Sequence, residues 1–254
     1  MGKTGRQEEA DDQTNKQSQT QAGPVKADVF YTGVAEQKIG NQGSDTGRIE
    51  HCIADSAQLF LFHQGIQANT QNGGQHIQGV NTPSAKANGE DCTDSLYLSD
   101  PKRLCETTAT LLRQLHETDF TGCPVADRTK DYLATVEENY HLGRYDTSLF
   151  PNRISAEEAW KIAEENGKYL QTDTLLHGDY CLPNIMLDNW DFSSFIDLGC
   201  GGVGDRHIDL FWGVWTLEFN LKTDKYADRF LDAYGRDKVN PDIFPVIAAC
   251  EVFG

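Results

Sequence analysis

HGDYCLPN (residues 177–184) and FIDLG (residues 195–199) carry more information than any other part of this chain. Asp179 and Asn184 fall on a tight loop between two apolar runs, Leu175-Leu176 before it and Ile185-Met186-Leu187 after it. Gly178 permits a backbone angle closed to other residues, and Pro183 removes a donor and stiffens the loop. Asp188-Asn189-Trp190-Asp191 is a turn sequence, so the chain leaving Asn184 is expected to fold back as a hairpin. The returning strand, Phe195-Ile196, ends at Asp197. Two acids and an amide are thereby brought to one place. Asn184 and Asp197 offer the hard oxygen ligands that Mg²⁺ prefers, with phosphate oxygens and water completing the octahedron.

On either side of this segment the chain reads as helical. Asp100-Pro101 is a helix start, and Leu104, Thr108, Leu111, Leu112 and Leu115 then fall on one face. A second helix opens at Ser155, where Glu158 completes a capping box, and its apolar face carries Ala159, Trp160, Ile162 and Ala163. Further helices are expected at about 207–220, at 224–234 ended by Gly235, and at 241–253 with Asn240 as cap and Pro241 in the first turn. Asp205 and Asp209 are expected to cap a helix or to bind the loop at 177–184. The cysteines are expected to be buried fillers.

An Asp, an Asn five positions on, and a second Asp on the next strand followed by Gly resembles the catalytic apparatus of kinases. The flanks narrow the likeness. HGDYCLPNIM (177–186), FIDLG (195–199) and GGVGDRHIDL (201–210) resemble the aminoglycoside phosphotransferases, especially those acting on the 3′-hydroxyl. LRQLHETDFTGCPV (112–125) and YADRFLDAYG (226–235) are similar to the same family. The resemblance runs from about Gly89 to Gly254. It implies an α+β, protein-kinase-like fold with a mainly helical C-terminal lobe and a catalytic hairpin. It also implies an antibiotic-resistance enzyme that moves the γ-phosphoryl of ATP to an aminoglycoside hydroxyl with Mg²⁺. Asp179 would be the catalytic base, Asn184 and Asp197 the magnesium ligands, and His177 a support for the loop. Glu157, Glu158 and Glu251 match, loosely, the carboxylates with which the family receives its cationic substrate. Cys200 stands where many members carry an Arg. Choline-kinase-like and homoserine-kinase-like enzymes share the core pattern, although Tyr-Cys-Leu-Pro-Asn favours the antibiotic enzymes.

Composition divides the chain near residue 88. Gln occurs 13 times before Gly89 and twice after it, and all four Trp residues lie after it. The formal net charge of −17 splits into −2 for residues 1–88 and −15 for the remainder. An acidic balance of this size argues against nucleic-acid binding and accords with a cationic ligand. Residues 1–24 read as a disordered polar tail and 25–88 as a Gln/Gly-rich region of uncertain fold, with two or three weak strands near Val29-Phe30-Tyr31 and Leu59-Phe60-Leu61-Phe62. This region stands where a nucleotide lobe is expected, yet it holds no Val-Ala-Ile-Lys type of strand. Lys26, Lys38 and Lys86 are its candidate nucleotide lysines only by elimination. The N-terminal lobe is therefore expected to be atypical or missing. That leaves an alternative: a catalytically dead remnant, truncated or frameshifted upstream of Gly89, that binds ligand only. Seven cysteines without a C-x-x-C pair, no long apolar run and no apolar signal core read as a reduced, cytoplasmic protein that does not enter a membrane.

Overall fold

The computed structural model describes residues 88–149 and 154–254, together with the backbone of Ala68–Asn69. The expected polar tail, the apolar runs at 29–31 and 59–62, and Lys26, Lys38 and Lys86 lie outside the described residues. Six short strands are seen: β1 (Ala68–Asn69), β2 (Glu90–Asp91), β3 (Thr174–Leu176), β4 (Ile185–Asp188), β5 (Asp191–Ile196) and β6 (Gly202–Gly204). Seven α-helices accompany them: α1 (Ser95–Leu98), α2 (Pro101–His116), α3 (Arg128–His141), α4 (Ala156–Asn166), α5 (His207–Leu221), α6 (Ala227–Tyr234) and α7 (Phe244–Glu251). One sheet has the order β1-β5-β4-β2, and a second, two-stranded sheet pairs β3 antiparallel with β6.

The helices begin where their caps require. Asp100 accepts from the Arg103 amide at the start of α2, with Pro101 in the first turn. All five residues of its expected apolar face are buried. At α4, Ser155 and Glu158 form the reciprocal capping box. Ala159 and Ala163 are its buried stripe, while Trp160 and Ile162 pack half-exposed at the rim. The helix expected over 241–253 is divided instead. Asn240 caps a 3-10 turn (Pro241–Ile243), and α7 follows with Pro245 in its first turn, where a missing amide costs nothing.

α5 lies at the centre of this helical body. Ile208, Leu210, Phe211, Val214 and Leu217 are buried, as are its polar His207, Asp209 and Thr216, so it is enclosed on most sides. α2 packs on α6, and α4 on α7, to either side of it. Gly213 lets α5 approach α6 closely, since a Cβ there would come within 2.7 Å of the Phe230 ring. Truncating a fully buried side chain here, such as Leu112, would cost about 2–5 kcal/mol.

The expected hairpin is β4–β5. Asn189 (φ 49°) and Trp190 (φ 77°) both adopt positive φ, as a two-residue type I′ turn demands. Trp190 is a bulky residue in that conformation, and it is clamped from two sides. The Arg103 guanidinium stacks 4.3 Å from its ring centroid, and Tyr97 meets it edge-on. The same turn therefore ties the hairpin to the start of α2.

Candidate active site

β3 delivers the chain into the loop at 177–184 and the hairpin carries it away. The loop is held from behind by Asp209, a fully buried carboxylate on the first turn of α5. The His177 amide donates to Asp209 Oδ2 at 2.7 Å and the Gly178 amide to Asp209 Oδ1 at 2.8 Å. His116 on α2 completes the set, with Nε2 3.0 Å from Asp209 Oδ2 and Nδ1 2.8 Å from the Tyr234 hydroxyl. Burial pushes the His116 pKa down, partly offset by Asp209. Neutral His116 then donates from Nε2 and accepts the Tyr234 proton at Nδ1. Asp209 thus does bind the loop, while Asp205, just before the Arg206 cap of α5, accepts from the His207 amide and ring.

On the other side of the loop, Asp179 and Asn184 are joined directly. Asn184 Nδ2 donates to the Asp179 backbone oxygen at 2.9 Å and to its Oδ2 at 2.8 Å. This commits the amide nitrogen and leaves Asn184 Oδ1 as an oxygen donor. The 3-10 turn Leu182–Asn184 is pinned by the Leu182 amide on Thr216 Oγ1 of α5. Asp197 follows β5 in the left-handed region (φ 56°) and is exposed. Because Ile185 pairs with Phe195, Asn184 and Asp197 emerge at the same end of the hairpin. His177 senses Asp209, Asp179 and Asp197 together, yet its burial outweighs them and lowers its pKa. Its Nδ1 accepts from the Asp179 amide at 3.3 Å, so it is neutral and braces the loop.

Gly178 (φ 88°) is required sterically as well as conformationally, because a Cβ there would overlap the Cys200 carbonyl group. Cys200 is exposed and so departs from the expectation of a buried filler, whereas Cys92, Cys105, Cys123 and Cys250 meet it.

The three glutamates are placed very differently. Glu157 and Glu158 are exposed on the first turn of α4, and Glu158 is occupied by its capping box. Glu251, at the end of α7, is turned inward and only 7% exposed. Tyr132 donates to its Oε1 at 2.8 Å, and the Trp212 side chain beside it also favours the charged form. Burial raises its pKa to about 7 against both, and the charge of Asp179 adds to the rise. Glu251 therefore belongs electrostatically with Asp179, whereas no hydrogen bond or ion pair joins Glu157 or Glu158 to either among the described residues.

The donor set suits a magnesium ion that arrives with its substrate. Among the described residues no group of three or more His, Cys, Asp and Glu side chains forms a closed cage. Mg²⁺ keeps its waters and takes only one or two protein ligands beside phosphate oxygens, which Asn184 and Asp197 can supply.

His116, Tyr132, Tyr234 and Trp212 were not singled out by sequence reasoning. His116 did carry a signal, as a polar residue continuing the apolar face of α2. The other three are aromatic positions joined to the site only by long-range contacts.

A model of the phosphotransferase enzyme family matches residues 86–244. A Lactococcus lactis protein named "Probable aminoglycoside 3'-phosphotransferase" is 52% identical over 242 residues, covering 90% of this chain and 84% of its own. That alignment is longer than the stretch from Gly89 onward, so it reaches into the Gln-rich segment. This runs against replacement of that segment by an unrelated reading frame. The aminoglycoside 3'-phosphotransferase of Niallia circulans is 28% identical, covering 61% of this chain and 60% of its own. Among solved structures, an aminoglycoside-3'-phosphotransferase of type VIII superposes with a TM-score of 0.66 at 21% identity, covering 82% of each chain. A Streptomyces rimosus aminoglycoside phosphotransferase in complex with ADP and streptomycin gives 0.64 at 19%, covering 83% and 84%. These structural likenesses show the fold, which is protein-kinase-like. With its loop, hairpin and helical body accounted for, the chain belongs to the phosphotransferase enzyme family.

Proposed function

We propose that this protein transfers the γ-phosphoryl group of ATP to the 3′-hydroxyl of an aminoglycoside, and so confers resistance to it. The observation that carries the reading is the bonded pair Asp179–Asn184 at the same end of the hairpin as Asp197. Asn184 Oδ1 and the Asp197 carboxylate would hold the magnesium that accompanies ATP, and that ion would supply neutralisation of charge on the transferring phosphoryl group. Asp179 orients the acceptor hydroxyl and takes its proton. Asn184 fixes the rotamer of Asp179 through the 2.8 Å bond, and Asp209 fixes the backbone that presents it. Glu251, ionised above about pH 7, attracts an ammonium group of the acceptor. Glu157 and Glu158 are further candidates on the neighbouring helix. No helix among the described residues is long and apolar enough to cross a membrane, and we place the enzyme in the cytoplasm, where ATP is available.

The test is phosphorylation of kanamycin and neomycin by the purified full chain, with Asp179→Ala alongside it. Turnover by the parent and its loss in a folded Asp179→Ala support the reading. Equal turnover by both would overturn the role of Asp179, and none by the parent would overturn the activity.

A further inference from the structure

We propose that Arg128 is a catalytic residue of this site, a guanidinium that binds the phosphoryl group in transfer. The inference rests on the phosphotransferase reading above and assigns it a residue that neither motif contains. Arg128 opens α3 directly after its cap, Asp127. The segment before it is tied to β6, with the Val203 amide donating to Val125 O at 2.8 Å and Gly202 lying against the Val125 side chain. Thr129 Oγ1 donates to Gln171 O at 2.8 Å, and a Cβ on Gly204 would sit 3.5 Å from Arg128 Cβ. This anchoring sets the half-buried Arg128 side chain beside Cys200, whose thiol lies within the field of the guanidinium. Cys200 in turn abuts Gly178, the residue before Asp179. The line of contact from α3 to the catalytic loop is thus Arg128, Cys200, Gly178. Cys200 also lies within the fields of Asp179 and Asp197, so the guanidinium stands at the edge of an acidic site.

Among the described residues, Arg128 forms no ion pair with a carboxylate. Arg113, Arg206, Arg229 and Arg236 each have at least one. A permanent cation at the edge of this site, with no carboxylate in ion-pair contact, repels a polyammonium acceptor and fits an anion. The anion that the reaction brings there is the phosphoryl group. Planar N–H donors match its oxygens two at a time. In the transfer, the acceptor oxygen bonds to the γ-phosphorus and the bond from that phosphorus to the bridging oxygen breaks. The bonding electron pair leaves on ADP, and the hydroxyl proton ends on Asp179. Arg128 makes and breaks no covalent bond; its N–H groups meet the phosphoryl oxygens as the charge on them shifts.

Arg128→Met, Arg128→Lys and a control, Arg229→Met, separate this role from packing on Cys200. Calorimetry compares Mg-ADP alone with Mg-ADP plus aluminium fluoride, a mimic of the phosphoryl group in flight. Arg128→Met is expected to lose about 10-fold or more in affinity for the fluoride complex, with Mg-ADP affinity unchanged. Its kcat should fall about 100-fold, with the kanamycin KM unchanged or lower. Arg128→Lys should recover part of both losses, and Arg229→Met should match the parent. Parental affinity for the fluoride complex in Arg128→Met overturns the proposal, as does an equal loss for Mg-ADP alone. If Arg128→Met fails to fold, Arg128→Lys decides by the same two affinities. Absence of turnover in the parent would defeat the choice of acceptor, while the affinities would still report on Arg128.

Discussion

Two buried acidic regions back the catalytic loop, and they are built to opposite ends. At the start of α5, Asp205 and Asp209 are saturated with donors. Asp205 accepts from the Gln171 amide and from the amide and ring of His207. Burial by itself would raise its pKa, but these bonds together outweigh burial and hold it below the ordinary range. At the end of α7, Glu251 has only Tyr132 and Trp212, and burial wins, raising its pKa to about 7. The number of donors decides between a carboxylate that holds structure and one that remains available to a ligand. Asp209 is consumed by the fold, whereas Glu251 is held partly unsatisfied at a cost in stability.

Removing the saturated partner should have the largest effect. Asp209→Ala leaves the His177 and Gly178 amides and His116 without an acceptor and should cost on the order of 3–5 kcal/mol, read by urea unfolding, with turnover lost as well. Glu251→Gln should act in the reverse sense. The unfolded glutamate ionises near 4.5 and the native one near 7, so the native state holds the extra proton between these values. Stability of the parent should therefore fall as pH rises from about 4.5 to 7, by on the order of 3 kcal/mol, and level off above. Glu251→Gln should flatten that part of the unfolding profile, and should also raise the aminoglycoside KM most at pH 8. A profile in the variant as steep as in the parent would locate the titration elsewhere.

Tyr234→Phe removes the donor to His116 Nδ1 and should cost about 1 kcal/mol, visible as a small drop in Tm. The smallest effect tests the exposed acids. Glu158→Gln keeps hydrogen-bonding capacity at the cap and should change stability by less than about 0.5 kcal/mol. Its KM, and that of Glu157→Gln, then shows whether α4 contributes to acceptor binding at all; an unchanged KM in both removes them from the site.

What could be read from residues alone was local. The caps of α2 and α4, the turn at Asn189-Trp190 and the loop from His177 to Asn184 each declare themselves within a few positions. α3 did not, because only Thr129 and Val136 on it are buried and no apolar stripe marks it. β6 is Gly-Val-Gly, without strand propensity, and is a strand because β3 pairs with it. The site divided in the same way. Asp179 and Asn184 are five residues apart and were legible, whereas His116 meets Asp209 across 93 positions. Arg128 and Tyr132 both come from α3, the helix that escaped notice. Glu251 was legible only through the family resemblance, since nothing in its neighbours announces that α7 turns it inward.

The close approach of Gly178 to Cys200 bears on how this enzyme can change by mutation. Any single-base substitution that replaces this glycine adds a Cβ or ends the chain, so no missense variant one step away fits between the loop and Cys200. Genetic drift at this codon would therefore silence the enzyme rather than retune it. Changes in substrate range must arise elsewhere than at this glycine.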